Sequence, residues 1–173
     1  KPLRRFLAAG GMELIEAVRT DSHGGSLRCT AQHAGAERKP GPSVETLVAV
    51  EEDMGLDRAR TFVRFAGRID ALGAELRSLL DRVRGDGGTI AGFGAPAKAT
   101  TLMYHFGIGA DTLDFIVDDS PLKQGLFSPG LHIPVLPPAA LLERRPSHAL
   151  ILAWNFAPAI MEKNAAFREA GGR

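Results

Sequence analysis

One stretch of the sequence, residues 88–98, constrains the fold more than any other. It reads GTIAGFGAPAK, so a short apolar run is followed by a turn containing Gly92 and Gly94 and then by an apolar segment that can form a helix. With Ala97, these glycines match the GxGxxA form of the dinucleotide fingerprint. In that fingerprint the first glycine permits a sharp turn, the second lets a phosphate approach the backbone, and the small third residue lets the helix pack on the strand. The stretch therefore predicts a strand, a glycine turn and a helix start.

Charged residues follow this turn at two informative positions. Lys98 lies in the first turn of the predicted helix, where a fixed positive charge and exposed N–H groups would face an anion. Asp118 closes the next apolar run, roughly 20 residues further on, where the acid of a dinucleotide-binding unit meets a ribose hydroxyl. The context of the fingerprint favours nucleotide or nucleotide-sugar binding. A glycine turn that only packs a strand on a helix remains the alternative.

Composition restricts the class of protein. The 173 residues suffice for one well-buried α/β domain with a small appendage. Lys and Arg number 21 against 20 for Asp and Glu, which is not the basic field of a nucleic-acid binder. No apolar run approaches the roughly 20 residues of a membrane span, and one cysteine permits no internal disulfide. We therefore expect a cytoplasmic protein without a nucleic-acid or membrane partner.

Hydrophobic periodicity predicts a helix and a hairpin near the N-terminus, followed by a larger α/β region. That region is expected to contain four strands, at 89–91, 113–117, 133–136 and 148–154, alternating with helices. Short connections of this kind favour a Rossmann-like, doubly wound, mostly parallel sheet with helices on both faces. A long helix over 57–83 is expected to bury one apolar stripe, and residues 158–170 are expected to form one helix. Trp154 is interpreted as core packing, with a stacking platform for a ligand as the alternative.

Five motifs occur in one order along the chain: HGGSLR at 23–28, GFGAPAK at 92–98, VDDSPLKQG at 117–125, GLHIP at 130–134 and LAWN at 152–155. In this order they resemble the C-terminal domain of the S-adenosylmethionine-dependent C-methyltransferases that act on nucleotide-linked deoxysugars. The resemblance covers nearly the whole chain. It implies a parent enzyme with an N-terminal zinc domain, a middle domain that holds S-adenosylmethionine, and a Rossmann-like domain that helps hold the nucleotide-sugar.

The family's catalytic Tyr-His-Glu-His type motif, its cysteine-rich zinc motif and its S-adenosylmethionine loop do not occur in this sequence. We therefore expect only the C-terminal portion, unable to transfer a methyl group by itself. Residues 1–42 are then the tail of the preceding methyltransferase domain with a linker, and residues 43–173 the Rossmann-like domain. The S-adenosylmethionine-binding domain would be a partner within the same chain of the parent enzyme.

The Rossmann geometry and the motif matches give eight candidate residues for binding a dTDP-type nucleotide-sugar, and none for catalysis or for a metal. The phosphate candidates are Gly92, Gly94, Ala95 and Lys98, and the candidates around the nucleoside or sugar are Asp118, Lys123, His132 and Asn155. In the family's reaction, a carbon next to the sugar keto group loses a proton and attacks the methyl sulfonium. This domain would orient the keto sugar for that step. Two alternatives remain, an NAD(P)-binding domain of an oxidoreductase and a non-catalytic structural module.

Overall fold

The computed structural model describes all residues of the chain, 1–173, and divides into two compact units, Lys1–Gly67 and Arg68–Arg173. The first unit contains helix α1 (Pro2–Ala9), strands β1 (Met12–Thr20) and β2 (Ser26–His33), helix α2 (Ser43–Asp53) and the start of helix α3 (Ala59–Gly85). The second unit contains the rest of α3, then β3 (Ile90–Phe93), α4 (Ala97–Phe106), β4 (Phe115–Val117), β5 (Val135–Leu136), α5 (Ala140–Arg144), β6 (His148–Ile151), α6 (Ala157–Lys163) and α7 (Ala165–Glu169).

In the first unit, β1 and β2 form the predicted hairpin, with Thr20 opposite Ser26 beside the turn. Helix α2 packs on β1, because Val44 shares a buried cluster with Leu14 and Ala17. Because α2 belongs to this packing, the compact unit extends beyond residue 42. The predicted boundary after residue 42 concerns the domains of the parent protein, and it stays a prediction.

In the second unit, four parallel strands lie in the order β5-β4-β3-β6. The chain moves outward from β3 through β4 to β5 and then returns to the other side of β3. The strand order therefore reverses between β3 and β6. At such a switch point the connections leave in opposite directions, so a crevice opens at the carboxyl ends of the strands.

Alternating side chains of the strands divide the core of this unit into two clusters. Ile90 and Ile116 belong to one cluster, and Ala91 and Phe115 to the other, as the two-residue period of a strand requires. The first cluster includes residues of α3 and α4, and the second includes residues of α5 and α7. The unit is a mixed α/β structure with a parallel four-stranded sheet, consistent with a Rossmann-like fold.

Three predictions at the end of the chain are wrong. Strand β6 ends at Ile151 rather than at Trp154, because the N–H groups of Leu152 and Ala153 both donate to the carbonyl of Phe93 and the chain then enters a 3-10 turn, Trp154–Phe156. Trp154 is 44 % exposed, so it is not a core residue. The helix predicted over 158–170 is two helices separated by Asn164. Its side-chain amide donates to the carbonyl of Ile160, a local bond that competes with a continuous helix.

Only part of the predicted stripe on α3 is buried. Leu80 is buried in the first cluster, and Leu76 and Val83 pack against it. Leu72 and Leu79 are about half exposed, at 60 % and 50 %. Gly73 is buried against the ring of Phe106, where a Cβ would lie 2.6 Å from the ring. None of the helices, α3 included, has the length and apolar character needed to cross a membrane.

Candidate functional site

The glycine turn lies at the carboxyl end of β3, between the ends of β4 and β6. The N–H of Gly94 donates to the carbonyl of Val117 in β4 at 2.7 Å, and the carbonyl of Phe93 accepts the N–H of Leu152 at 2.8 Å. Pro96 occupies the N-cap position of α4 in an extended conformation, so the helix begins immediately after the turn. Three strand ends and one helix N-terminus therefore meet at this point.

Both glycines of the fingerprint are required by packing. Gly94 has φ +89°, and a Cβ on it would lie 2.6 Å from the Cβ of Ala153. Gly92 lies inside β3 rather than in the turn, and a Cβ on it would lie 2.9 Å from Leu152 and 3.0 Å from Ile116. The sharp turn falls at Gly94, one glycine later than the sequence pattern predicts. Contact of either glycine with a phosphate stays a prediction.

Asp118 follows β4, and its side chain holds the glycine turn in place by hydrogen bonds. Its Oδ2 accepts the N–H of Ala95 at 2.6 Å and the ammonium of Lys123 at 3.2 Å, and its Oδ1 accepts the N–H of Ser120 at 2.8 Å. Burial disfavours the carboxylate, but these donors outweigh burial, so the pKa of Asp118 lies below its ordinary value of 3.8. The structure thus brings the predicted residues Ala95, Asp118 and Lys123 together, hydrogen-bonded to one another.

Lys98 lies on the other side of the turn, toward β6. Its Nζ is 4.0 Å from the centroid of the Trp154 ring, a cation–π contact. Asn155 follows Trp154 in the 3-10 turn and is half-buried. Lys98 and Asn155 therefore lie near the switch point, where the sequence predicted a ligand.

His132 lies outside this hydrogen-bonded group. It is exposed, has φ +52°, and sits in the loop that joins β4 to β5, where its N–H donates to the carbonyl of Ser128. In the same loop Gly130 lies against Tyr104, near the C-terminal end of α4. The glycine turn precedes the N-terminal end of this helix, and Tyr104 is about 10 Å along the axis from Ala97. Ser128 and Pro129 of this loop line one cleft with Ala95 and Lys123, so contact of His132 with a ligand stays a prediction.

Two features of this region escaped the sequence reasoning. Ser120 and Gln124 both bind Asp118, the latter through a bond from Nε2 to the Asp118 carbonyl at 3.0 Å. The Asp-x-Ser spacing, which is typical of an Asx turn, would have revealed Ser120. A cleft of about 330 Å³ also lies between α4 and the loop after β4, with Phe127 and Lys123 among its lining residues. No group of His, Cys, Asp or Glu side chains is arranged to hold a metal ion.

Comparison with known proteins assigns the family. Residues 21–173 match the family model of the C-methyltransferase C-terminal domain. The chain is 37 % identical over 163 residues to the C-methyltransferase NovU of Streptomyces niveus, an alignment that covers 94 % of this chain and 39 % of that protein. The chain belongs to the family of C-methyltransferase C-terminal domains, which confirms the resemblance carried by its five motifs. It spans about two fifths of the length of the curated relative that it matches.

Proposed function

We propose that this chain is the nucleotide-sugar-holding part of an S-adenosylmethionine-dependent C-methyltransferase. Its parent methylates a carbon next to the keto group of a nucleotide-linked sugar of the dTDP type. The catalytic residues, the S-adenosylmethionine site and a structural zinc belong to other parts of that parent. Family membership supports the class of reaction, and the motif resemblance supports the substrate class. The sheet is then the core of a doubly wound, Rossmann-like domain.

One observation carries this proposal: an uncapped helix N-terminus and a lysine meet at the switch point of the sheet. No side chain caps α4, so the N–H groups of Ala97 and Lys98 lie at the positive end of its dipole and can donate to an anion, whereas that of Ala99 donates to the Pro96 carbonyl. Lys98 adds a full positive charge within the same helical turn. A diphosphate placed here receives N–H donors and an ammonium together.

The hydrogen bonds of the turn divide the candidates into two roles. Asp118 and Lys123 act through the turn, since the carboxylate already accepts the Ala95 N–H and holds the backbone that leads into α4. Lys98 acts on the ligand directly, at the diphosphate. Asn155 is the candidate for the nucleoside, because it lies at the end of β6 on the same side as Lys98. His132 stays a candidate for the nucleoside or sugar, from the loop that lines the cleft beside α4.

The contribution of such a site to the reaction is orientation. Holding the diphosphate fixes the attached keto sugar against the groups that remove its proton and deliver the methyl. Fixed geometry of this kind can contribute several kcal/mol to a reaction barrier. The proton-abstracting base and the methyl donor are supplied by the rest of the parent enzyme, so this domain lowers the barrier without itself touching the reacting carbon.

The two alternatives differ in their support. A dinucleotide site needs the acid after the second strand for a ribose hydroxyl, whereas the Asp118 carboxylate here accepts three donors from its own chain. This arrangement weighs against NAD(P). The structural-turn alternative is favoured by one observation, that packing and the positive φ of Gly94 already disfavour a side chain at positions 92 and 94 without any ligand.

Titration calorimetry of the full gene product with dTDP, NAD and S-adenosylmethionine tests the proposal. We expect Lys98→Ala to weaken dTDP binding about tenfold, the loss of one charge-assisted contact of roughly 1.4 kcal/mol, and to leave S-adenosylmethionine binding unchanged. Lys39→Ala, an exposed lysine of the first unit, is the matched control and should bind dTDP like the wild type. NAD binding that depends on Lys98 would identify a dinucleotide site instead. Binding of dTDP that survives Lys98→Ala would leave the turn with a structural role only.

A further inference from the structure

The outer edge of β6 is a second surface, which the proposed function does not use. Only β3 pairs with β6, so β6 is the edge strand on this side of the sheet. The N–H groups of His148 and Leu152 donate inward, to the carbonyls of Thr89 and Phe93. Because N–H directions alternate along a strand, those of Ala149 and Ile151 point outward. An outward row of backbone donors and acceptors is a template for a further strand.

Arg173 already occupies the first position on this edge. Its N–H donates to the carbonyl of Ser147 at 3.0 Å, and its carbonyl accepts the N–H of Ala149 at 2.8 Å. Bonds to the two residues that flank His148 are the hydrogen-bond pattern of a parallel pair, with Arg173 opposite His148. The chain arrives there from β6 through α6 and α7, and a helical crossover is the usual connection between parallel strands.

An apolar hollow lies beside the same edge. It measures about 340 Å³, and its lining includes Ile151 of β6, Ile160 of α6 and Phe167 of α7, together with Arg173 itself. Ala149 and Ile151 both pack on the cluster that faces this hollow. A strand continuing from Arg173 would place its first and third following residues beside Ala149 and Ile151, on the same face of the sheet. Those two side chains would fill the hollow.

We propose that a fifth parallel strand, formed by the residues that follow Arg173 in the parent protein, pairs with the outer edge of β6. The second residue of this strand after Arg173 donates its N–H to the carbonyl of Ala149, and its carbonyl accepts the N–H of Ile151. The first and third residues are apolar and close the hollow. A strand from a second copy fits less well, because it would have to displace Arg173 from the edge. This inference does not depend on the proposed function.

Hydrogen exchange of the full gene product, read by mass spectrometry on a peptide covering residues 148–152, tests the strand. Two variants place a single proline after Arg173. Proline at the second position removes the N–H that bonds Ala149, whereas proline at the fifth position, the matched control, removes an N–H that points away from β6 and leaves the two residues that fill the hollow unchanged. We expect the first variant to raise the exchange rate of the Ile151 amide at least tenfold, and the control to stay within about threefold of the wild type.

Equal exchange in the two variants would overturn the proposal, and so would a gene product that ends at Arg173. Protection that disappears on dilution, together with a dimer in size-exclusion chromatography, would assign the edge to a second copy instead. A peptide covering β4 serves as the folding control, since it should stay protected in both variants. If the second-position variant does not fold, the wild type alone tests the proposal. The proposal then requires the Ile151 amide to exchange as slowly as the Leu150 amide, which bonds to β3.

Discussion

The two sides of the glycine turn use their charges in different ways. Toward β4, the Asp118 carboxylate is buried and accepts hydrogen bonds from Ala95, Ser120 and Lys123. Toward β6, the Lys98 ammonium lies over Trp154, which is 44 % exposed. The side toward β4 is internally satisfied, whereas the side toward β6 keeps a cation and a helix N-terminus near solvent. The first side therefore fixes the turn, and the second is the one suited to a ligand.

The largest effect should come from breaking the turn itself. Gly94→Ala would force a side chain to φ +89° and bring its Cβ to 2.6 Å from that of Ala153. Backbone strain and overpacking act together here, so we expect the free energy of unfolding in urea to fall by about 3 kcal/mol or more. Gly125→Ala is the control, because Gly125 has φ +79° and a Cβ on it would have no heavy atom within 4 Å, and it should lose only about 1 kcal/mol. Equal losses would show that packing against Ala153 is not what requires glycine.

A smaller but still large effect should come from the carboxylate. Asp118→Asn presents an amide where the Ala95 N–H and the Lys123 ammonium need an acceptor. We expect a loss of about 1–3 kcal/mol in the free energy of unfolding at pH 7, measured by urea denaturation. Asp119→Asn changes the neighbouring carboxylate, which pairs with Lys163 at the surface, and should lose less than about 1 kcal/mol.

The same pair of variants gives a pH test. The pKa of Asp118 is lower in the folded protein than its ordinary value of 3.8, so its stabilisation is present above that value and is lost as the pH falls through the folded pKa. The difference in stability between the wild type and Asp118→Asn should therefore shrink as the pH falls below about 4. A difference that stays constant from pH 7 to pH 3 would contradict the assigned hydrogen bonds.

The sequence predicted the site unevenly, and for a physical reason. The order of a strand, a glycine turn and a helix was predictable because each depends on a local sequence pattern. The position of Asp118 at the end of β4 was predictable for the same reason. The bond from Ala95 to Asp118 was not, since it depends on how two strands pair. The exposure of Trp154 was not predictable either. An aromatic residue at the end of an apolar run is expected to be buried, and only the structure shows that β6 ends before Trp154. The two halves of the predicted helix over 158–170 were likewise separated by a single side-chain bond at Asn164.

The two lysines provide the sharpest comparison of function. Lys98→Met should weaken dTDP binding roughly tenfold and change stability by less than about 1 kcal/mol. Lys123→Met should do the reverse, leaving dTDP affinity within about twofold while lowering the free energy of unfolding by up to about 1 kcal/mol, because two backbone donors still hold Asp118. Calorimetry and urea denaturation on the same preparations measure both quantities. If Lys123→Met weakened binding as much as Lys98→Met, the ligand would also contact the side toward β4.

The smallest expected effect concerns the contact that holds Lys98 in place. An exposed cation–π pair contributes about 0.5–1 kcal/mol, so Trp154→Leu should reduce stability only slightly, and a double-mutant cycle with Lys98→Met should give a coupling of that size. Trp154 is the only tryptophan of these 173 residues, so the difference in fluorescence between the wild type and Trp154→Leu reports on this contact. If Lys98 leaves the ring to bind a diphosphate, titration with dTDP should change the emission of the wild type and not that of Lys98→Met. An unchanged emission in a protein that binds dTDP through Lys98 would mean that the ammonium reaches the ligand without leaving Trp154, and the aromatic ring would then be part of the binding site.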